Sequence, residues 1–491
     1  MVAVIYPGGR SQGLASLAVH GLVRLFGEDE FVSCETIFFD GRARRPRSFE
    51  TGRDARDFDL LVFTTAFEEQ WVLIPHFLRR AGIPALAVQR DTSHPLVAVG
   101  GFAVRLNPAP VAPFTDMLIA GDAEEVIPSV LEVLHGRTSD ERNDLLRTLG
   151  NERGVWTPSA SRDSLNCPVY RGQRPVAQVM DGESSVFADM FLIETGRGCP
   201  VGCRFCAVAH ARRPPAFFPV ERILDGAGSA IAAGMRIGLV GASLSRHPRL
   251  VELMERLADA GADLSPASLD ATVLASRAGE KIVRLLAGAR QRTVTLAPEC
   301  GTEPGRSQIG KPLKDDELEC AVRRLAEAGV VHLKLYLMYG LPEEQGDDLQ
   351  AAVELVARVR GWFLGPQRRR GRAGRLSVSA NPFVPKPHTP LGPCAMPPLK
   401  ELKKKRAFLQ KKIRALGGTS FGGFSPRRAV LQCLLDRGGF GLSDLLDAAG
   451  GKWPPPAEFL ERHTPDFPDL VYEPFEAEDK RAPLRVDISS A

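Results

Sequence analysis

Between residues 191 and 384 the chain repeats one pattern six times, a short apolar run followed by a longer amphipathic stretch. The runs are Phe191–Thr195, Ile237–Gly241, Asp263–Leu269, Thr293–Ala297, His332–Met338 and Leu376–Ala380. Helical patterns lie between them at 219–233, 248–260, 277–288, 314–328 and 346–363, and a sixth starts near Pro398. Short apolar runs bounded by turn signals read as buried strands, and apolar residues three and four apart read as helices. Strand–helix units in series wind into a parallel sheet, so this segment predicts a partial (βα)6 barrel. Such barrels carry their chemistry at the C-terminal ends of the strands.

Residues 1–135 hold a second α/β pattern. Strands are predicted at Val2–Tyr6, Leu60–Thr64, Ala85–Val88, Leu96–Val99 and Met117–Ala120, with helices at Gly13–Phe26 and Glu68–Ala81. This predicts a doubly wound parallel sheet, whose ligand crevices lie at strand ends such as Gly100-Gly101 and Gly121. Residues 136–190 read as a polar connector, 191–395 as the barrel, and 396–491 as a small helical C-terminal region with a frayed tail.

Composition narrows the class. The 63 basic and 59 acidic residues leave a net charge of +4, and 44% of the 491 residues are apolar. That balance fits soluble globular domains and excludes a disordered tail or a strongly basic coat protein. No apolar run reaches the roughly 18 residues of a membrane span, and Met1–Arg10 reads as strand and turn rather than a signal peptide. A cytoplasmic protein with no membrane partner is expected. The first lysine is Lys281. The basic blocks Arg368–Arg372 and Lys400–Lys412 read as solvated faces, with an anionic partner as the alternative.

Three of the nine cysteines fall within Cys199-Pro200-Val201-Gly202-Cys203-Arg204-Phe205-Cys206, directly after the first barrel strand. Gly196, Gly198 and Gly202 give this loop the backbone freedom to wrap a metal centre. Three thiolates leave one iron of a four-iron cluster open to a ligand. Zinc with His210 as a fourth ligand competes with that reading, although zinc sites usually pair their ligands in separated sets.

The CxxxCxxC run with an aromatic, Phe205, before the last cysteine resembles the radical S-adenosylmethionine (radical SAM) enzymes over roughly Phe191 to Val384. The resemblance implies a [4Fe–4S] cluster on Cys199, Cys203 and Cys206, and S-adenosylmethionine chelating the open iron. It also implies an electron donor such as flavodoxin or ferredoxin and an unknown substrate. Gly241-Ala242-Ser243 stands where the family has a glycine-rich motif, departing from Gly-Gly-Glu. Ser268, Glu299, Lys334 and Asn381 occupy or approach later strand ends and become candidate cofactor contacts. Gly340-Leu341-Pro342-Glu343-Glu344 resembles the family's turn after the fifth strand. Cys300 and His388 are candidate catalytic groups, against the plainer readings of a buried thiol and a turn residue.

The first domain, through Gly100-Gly101, Asn107-Pro108, Asp116 and Gly121-Asp122-Ala123-Glu124-Glu125, resembles the cobalamin-binding-like, Rossmann-like domain fused to many radical SAM enzymes. That implies cobalamin and methyl transfer to carbon. The family's Asp-x-His-x-x-Gly loop is absent, since Asp91-Thr92-Ser93-His94 has a different spacing. The alternatives are a cobalamin-free radical SAM enzyme acting on RNA, a peptide or a small molecule, and a non-catalytic iron–sulfur or zinc protein with a nucleic-acid partner.

Overall fold

Fully apolar strands need cover on both faces, which places them inside parallel sheets. The computed structural model bears this out; it describes all residues except 138–140, 160–163, 181–183, 267, 290, 370, 372, 453–466, 475–484 and 489–491. The N-terminal sheet contains β1 (Val2–Tyr6), β2 (Cys34–Phe38), β3 (Leu60–Thr64), β4 (Leu96–Gly100), β5 (Met117–Ile119) and β6 (Val155–Trp156). Their order is β2-β1-β3-β4-β5-β6, parallel except for antiparallel β6. Every residue of β3 and β4 is buried. Because β6 joins this sheet, the first unit extends past the expected boundary at residue 135.

Three local expectations fail for identifiable reasons. Ala85–Val88 is not a strand, because Arg90 takes the carbonyls of Pro84 and Ala85 and the chain turns through Ala87–Gln89. Strand β2 lacks an apolar alternation because the face that buries Ile37 also buries a carboxylate, Glu35, bonded by Thr51 and Arg53. The helix expected at Glu68–Ala81 is a 3-10 turn over Glu68–Val72 followed by a helix over Leu73–Arg80.

In the connector and barrel the strands are β7 (Ser164–Asn166), β8 (Met190–Arg197), β9 (Ala216–Phe217), β10 (Arg236–Gly241), β11 (Leu264–Pro266), β12 (Thr293–Glu299), β13 (His332–Tyr339), β14 (Arg375–Pro382), β15 (Thr419–Gly422) and β16 (Arg485–Asp487). The barrel is two sheets, β11-β10-β8-β9 and β12-β13-β14-β15, parallel except for β9. The Leu269 amide reaches the Thr295 carbonyl across the seam between them, at 3.4 Å. The outer faces bury Ile237, Leu239, Leu264, Leu296, Leu335 and Val378 in one large core. All six expected barrel strands are present, and β15 adds a seventh to a region read as purely helical. The tail read as frayed is ordered at β16, which pairs with β7.

The N-terminal domain packs on the barrel through the C-terminal helix Pro426–Arg437. Asn107 Nδ2 donates to the carbonyls of Leu435 and Gly438, both at 2.9 Å. Lys386, in the loop after β14, reaches Glu68 and Asp436 at 2.9 Å each. Burial and the neighbouring Glu68 charge push the Asp436 carboxyl well up, against the opposing charge of Lys386.

Gly101, just past β4, has φ +102°, and a Cβ there would lie 2.3 Å from the Thr65 carbonyl oxygen. Neither backbone moves without breaking the Thr65 amide bond to the Gly100 carbonyl. Gly101→Ala is expected to cost more than about 2 kcal/mol, read as a lower urea midpoint with an unchanged slope.

Candidate metal centre and the cavities around it

Strand β8 runs straight into the cysteine loop, so the sheet fixes where the loop starts. Gly198 has φ +75°, and its Cβ position lies 2.7 Å from the Arg212 carbonyl oxygen. Gly202 also has positive φ. The loop is clamped from both sides. Ser243 Oγ donates to the Gly198 carbonyl at 3.1 Å, tying the end of β10 to it. Opposite, the Arg204 amide donates to the Ile309 carbonyl at 2.9 Å, and the Leu391 amide donates to the Arg204 carbonyl at 3.0 Å. Phe205 packs into an apolar cluster with Cys300, Ile309, Phe383 and Leu391.

Cys199, Cys203 and Cys206 are all free thiols. Burial pushes Cys203 up to about 11; Lys311 opposes this, and Cys206, Cys199 and Glu299 add to it. Burial also raises Cys206, against the amides of Ala209 and Val208. These mutual effects place the three thiols in one electrostatic neighbourhood. Among the described residues no group of three or more His, Cys, Asp or Glu side chains is closed around a metal position as it stands. The fit therefore rests on the donor set: three thiols of the type iron–sulfur clusters take, on one short glycine-shaped loop at a barrel strand end.

His210 is not a fourth ligand. Its Nε2 is 3.0 Å from the Cys203 carbonyl oxygen and its Nδ1 is 3.1 Å from the Arg213 guanidinium, so both ring nitrogens are taken. This removes the zinc set read from the sequence.

Glu299 ends β12 in a left-handed conformation, φ +68°, which is strained for a residue other than glycine. It is nearly buried and pairs with Lys311 at 3.3 Å. Burial raises its carboxyl, opposed by Lys311. A strained, buried carboxylate beside the thiols is the group of this site most unlike a packing residue.

Two cavities flank the loop. One, of about 240 Å³, lies at the ends of β12 and β13 and is lined by Arg204, Cys300, Met338, Glu344, Leu391 and Cys394. The other, of about 390 Å³, lies between the domains. Thr64, Gly100 and Gly121 at strand ends of the N-terminal sheet face Gly196, Gly241 and Ala242 of the barrel across it. A Cβ on Gly241 would sit 2.5 Å from Thr195 Oγ1, so the backbone of β10 lies close against β8 there.

An ion-pair lattice holds the second cavity together. Asp122 accepts from Arg105 at 3.1 Å and Arg212 at 2.9 Å, with Arg197 at 3.6 Å. Arg197 is also paired with Glu124 at 2.7 Å and Glu194 at 2.8 Å. The sequence placed Asp122 and Arg197 in separate motifs; only the fold joins them.

Other expected site residues land elsewhere. Ser268 lies outside β11 and is exposed. Asn381 Oδ1 accepts from the Phe424 amide at 2.9 Å, so it fastens β14 to the chain after β15. Glu344, in the turn after β13, accepts from the Gly340 amide and from Lys405, and thus clamps that turn. Burial pushes the Cys300 thiol up to about 12, with Glu299 and Glu344 adding to it, so it is no thiolate nucleophile. His388 has φ +62° and turns its ring toward the carbonyls of Leu106 and Arg105 at the domain junction, lining neither cavity. Lys334 is exposed in the middle of β13, five positions before the strand ends, and away from the cysteine loop. In the first domain, Asp116 accepts from Arg90, Arg142 and the Val97 amide and is structural. Asp91–His94 precedes β4, at the N-terminal end of the strands, opposite the strand ends that meet the cavity.

A doubly wound domain capping a partial parallel barrel, with three thiols after the first barrel strand, defines a class of cluster-bearing barrel proteins. Two family models match in those places: "Radical SAM superfamily" over residues 193–356, and "Radical SAM proteins, N-terminal" over residues 20–158. The chain is a radical SAM protein with an N-terminal domain. It is similar to an uncharacterised protein of Methanocaldococcus jannaschii, 25% identical over 458 residues, covering 91% of this chain and 90% of that protein. In fold it is similar to the cobalamin-dependent S-adenosylmethionine radical enzyme OxsB, with TM-score 0.50 and 14% identity for the form with aqua-cobalamin and S-adenosylmethionine bound. The apo form of OxsB gives TM-score 0.51. The alignment covers 73% of this chain and 52% of the OxsB chain, so this chain spans about half the length of that structure. Among the described residues no helix is long and apolar enough to cross a membrane.

Proposed function

We propose that this chain is a radical SAM enzyme that holds a [4Fe–4S] cluster on Cys199, Cys203 and Cys206 and abstracts hydrogen from a substrate within the barrel. The observation that carries this is the loop itself: three free thiols, shaped by positive-φ glycines and clamped from both sides, at the end of the first barrel strand. Cluster and S-adenosylmethionine together supply a 5′-deoxyadenosyl radical by one-electron reductive cleavage that releases methionine. The chain's own residues position and shield. Gly241 and Ala242 offer backbone to the cofactor, Ser243 holds the loop against β10, and Phe205 seals the apolar side. Glu299 and Lys311 present one anion and one cation beside the thiols, suited to the amino and carboxylate ends of an amino acid. The electron comes from an external donor such as flavodoxin or ferredoxin.

The fold likeness to a cobalamin-dependent enzyme raises methyl transfer as a second reading, and the residues present do not fit cobalamin. The interdomain cavity is lined by glycines, apolar side chains and a paired Arg–Asp–Glu lattice, and no histidine lines it as a ligand for cobalt. At the end of β1 the Gln70 side chain bridges to the Pro7 carbonyl: its Nε2 donates at 3.0 Å while its Oε1 accepts from the Ala66 and Phe67 amides. On this reading the reaction is hydrogen abstraction without a cobalamin methyl carrier, with the N-terminal domain as a cap.

Anaerobic purification with hydroxocobalamin supplied during expression tests this. Iron and sulfide at about four per chain without cobalamin absorption, and 5′-deoxyadenosine formed under reductant, are expected. Stoichiometric cobalamin would overturn the cobalamin-free reading, and a reconstituted cluster that never cleaves S-adenosylmethionine would overturn the enzyme reading.

A further inference from the structure

The second barrel sheet has an unusual interior. Along β13, Leu333, Leu335 and Leu337 are buried toward the outer helices, so His332, Lys334 and Tyr336 face the barrel interior. The same alternation puts Thr293 and Thr295 of β12, and Arg375, Ser377 and Ser379 of β14, on that interior face. Register lines them up: Thr295 pairs with Lys334, Lys334 with Ser377, and Ser377 with Ser420 of β15. One ammonium thus lies in a row of three hydroxyls, with neighbouring strands about 4.8 Å apart. The row is partly prewired: His332 Nε2 is 2.8 Å from Ser377 Oγ, and Ser420 Oγ donates to Ser377 Oγ at 2.8 Å.

The charges are one-sided. Glu194 is paired with Arg197, Asp270 with Arg246, and Glu299 with Lys311. Among the described residues the Lys334 side chain has neither ion pair nor hydrogen bond, and Arg375 stands beside His332 in register without an ion pair. Burial lowers His332, and the charges of Lys334 and Arg375 lower it further, so the ring stays neutral and serves as a hydrogen-bonding group. Tyr336, 42% exposed, walls the face one step nearer the strand ends.

We propose that this row is an anion subsite: Lys334, flanked by Thr295 and Ser377 with Ser420 behind Ser377, binds a carboxylate or phosphate group of the substrate inside the barrel. The inference rests on the radical SAM reading for the role of the barrel interior as the substrate chamber. It assigns the substrate class, a small molecule carrying an anionic group several residues' length below the reacting end. An ammonium with adjacent hydroxyl donors suits such a group, since charge-assisted bonds to oxyanions are the stronger kind. It also moves Lys334 from the cofactor to the substrate.

Reductive labelling tests this without cluster or S-adenosylmethionine. Pyridoxal 5′-phosphate condenses with a lysine amine, losing water, and borohydride reduces the imine to a stable amine that peptide mapping locates. At limiting reagent Lys334 is expected to label at least about five times faster than the exposed Lys403 and Lys411. That ratio corresponds to about 1 kcal/mol of preference for the anionic reagent. Inorganic phosphate and succinate serve as competitors. Protection by phosphate assigns a phosphoryl group, and protection by succinate alone assigns a carboxylate. Labelling of Lys334 no faster than Lys403, or protection by neither anion, overturns the proposal. Thr295→Val with Ser377→Ala, which keeps the lysine, is expected to remove the rate advantage; an unchanged advantage also overturns it. Because the labelling needs no S-adenosylmethionine cleavage, failure here and failure of the radical SAM reading are separate results.

Discussion

Cys203→Ala is expected to leave protein that folds yet holds almost no iron and forms no 5′-deoxyadenosine above background. Cys203 is the most buried of the three thiols. Its loop is held by bonds that the substitution does not touch, at Ser243, Ile309 and Leu391. The loss is therefore chemical rather than conformational. Two thiolates do not retain a four-iron cluster, and without it the chain has no means of reducing S-adenosylmethionine. A drop of at least about a thousandfold in 5′-deoxyadenosine formation, on the order of 4 kcal/mol, is the expected size. Iron content and a thermal midpoint measured on the same sample separate the two causes. Cys300→Ala is the companion. Its thiol is buried, neutral and packed against Ile309 and Phe383, so iron should stay at the wild-type level while stability falls by about 1 kcal/mol. Equal iron loss in both variants would move the centre off the Cys199–Cys206 loop.

What could be read from the sequence follows from how local each signal is. The three cysteines and Phe205 fall within eight residues, so their meeting point needs no fold to be inferred. The barrel strands announce themselves because Leu333, Leu335 and Leu337 must alternate to reach the outer helices. Strand β15 lacks an apolar signal because its core-side face carries a polar Thr419 beside Phe421, with Thr419 Oγ1 donating to the Ile413 carbonyl, while Ser420 faces the interior. The role of Asn381 was hidden in another way: its partner, the Phe424 amide, is distant in sequence and supplied by backbone. Ser268 was misplaced through a strand boundary, since Pro266 ends β11 early. Proline offers no amide to continue a ladder. The one-sided charge of the barrel interior required the register of four strands. No window of sequence shows that Thr295, Lys334, Ser377 and Ser420 share a row.

Asp122→Asn is expected to separate the two domains energetically. Asp122 follows β5, and its side chain is 9% exposed. It compensates Arg105 and Arg212, each 4% exposed at the side chain, and also accepts from the Tyr170 amide at 2.9 Å. Burial alone would raise this carboxyl; Arg197, Arg105 and Arg212 overcome burial and hold it below the usual carboxylate range. Asparagine keeps the shape, removes the charge, and leaves two buried guanidiniums without their anion. Breaking a buried pair from one side costs about 3–5 kcal/mol, because the remaining charge cannot return to water. Glu124→Gln should cost less, about 2 kcal/mol, since Arg197 keeps Glu194. The sign of the pH dependence follows from the depressed carboxyl. Its contribution is complete above the unfolded carboxylate value near 4 and is lost as pH falls toward the lower folded value. Wild type should therefore lose stability over that acid range, and Asp122→Asn should show a flatter curve there. Urea midpoints at pH 7 and near pH 3.5 for both proteins measure this. A gap between them that stays constant with pH would mean that shape, not charge, joins the domains at Asp122. Because the lattice includes Arg197 at the mouth of the cysteine loop, the same variant should also lower S-adenosylmethionine affinity, whereas a purely peripheral ion pair would leave it unmoved.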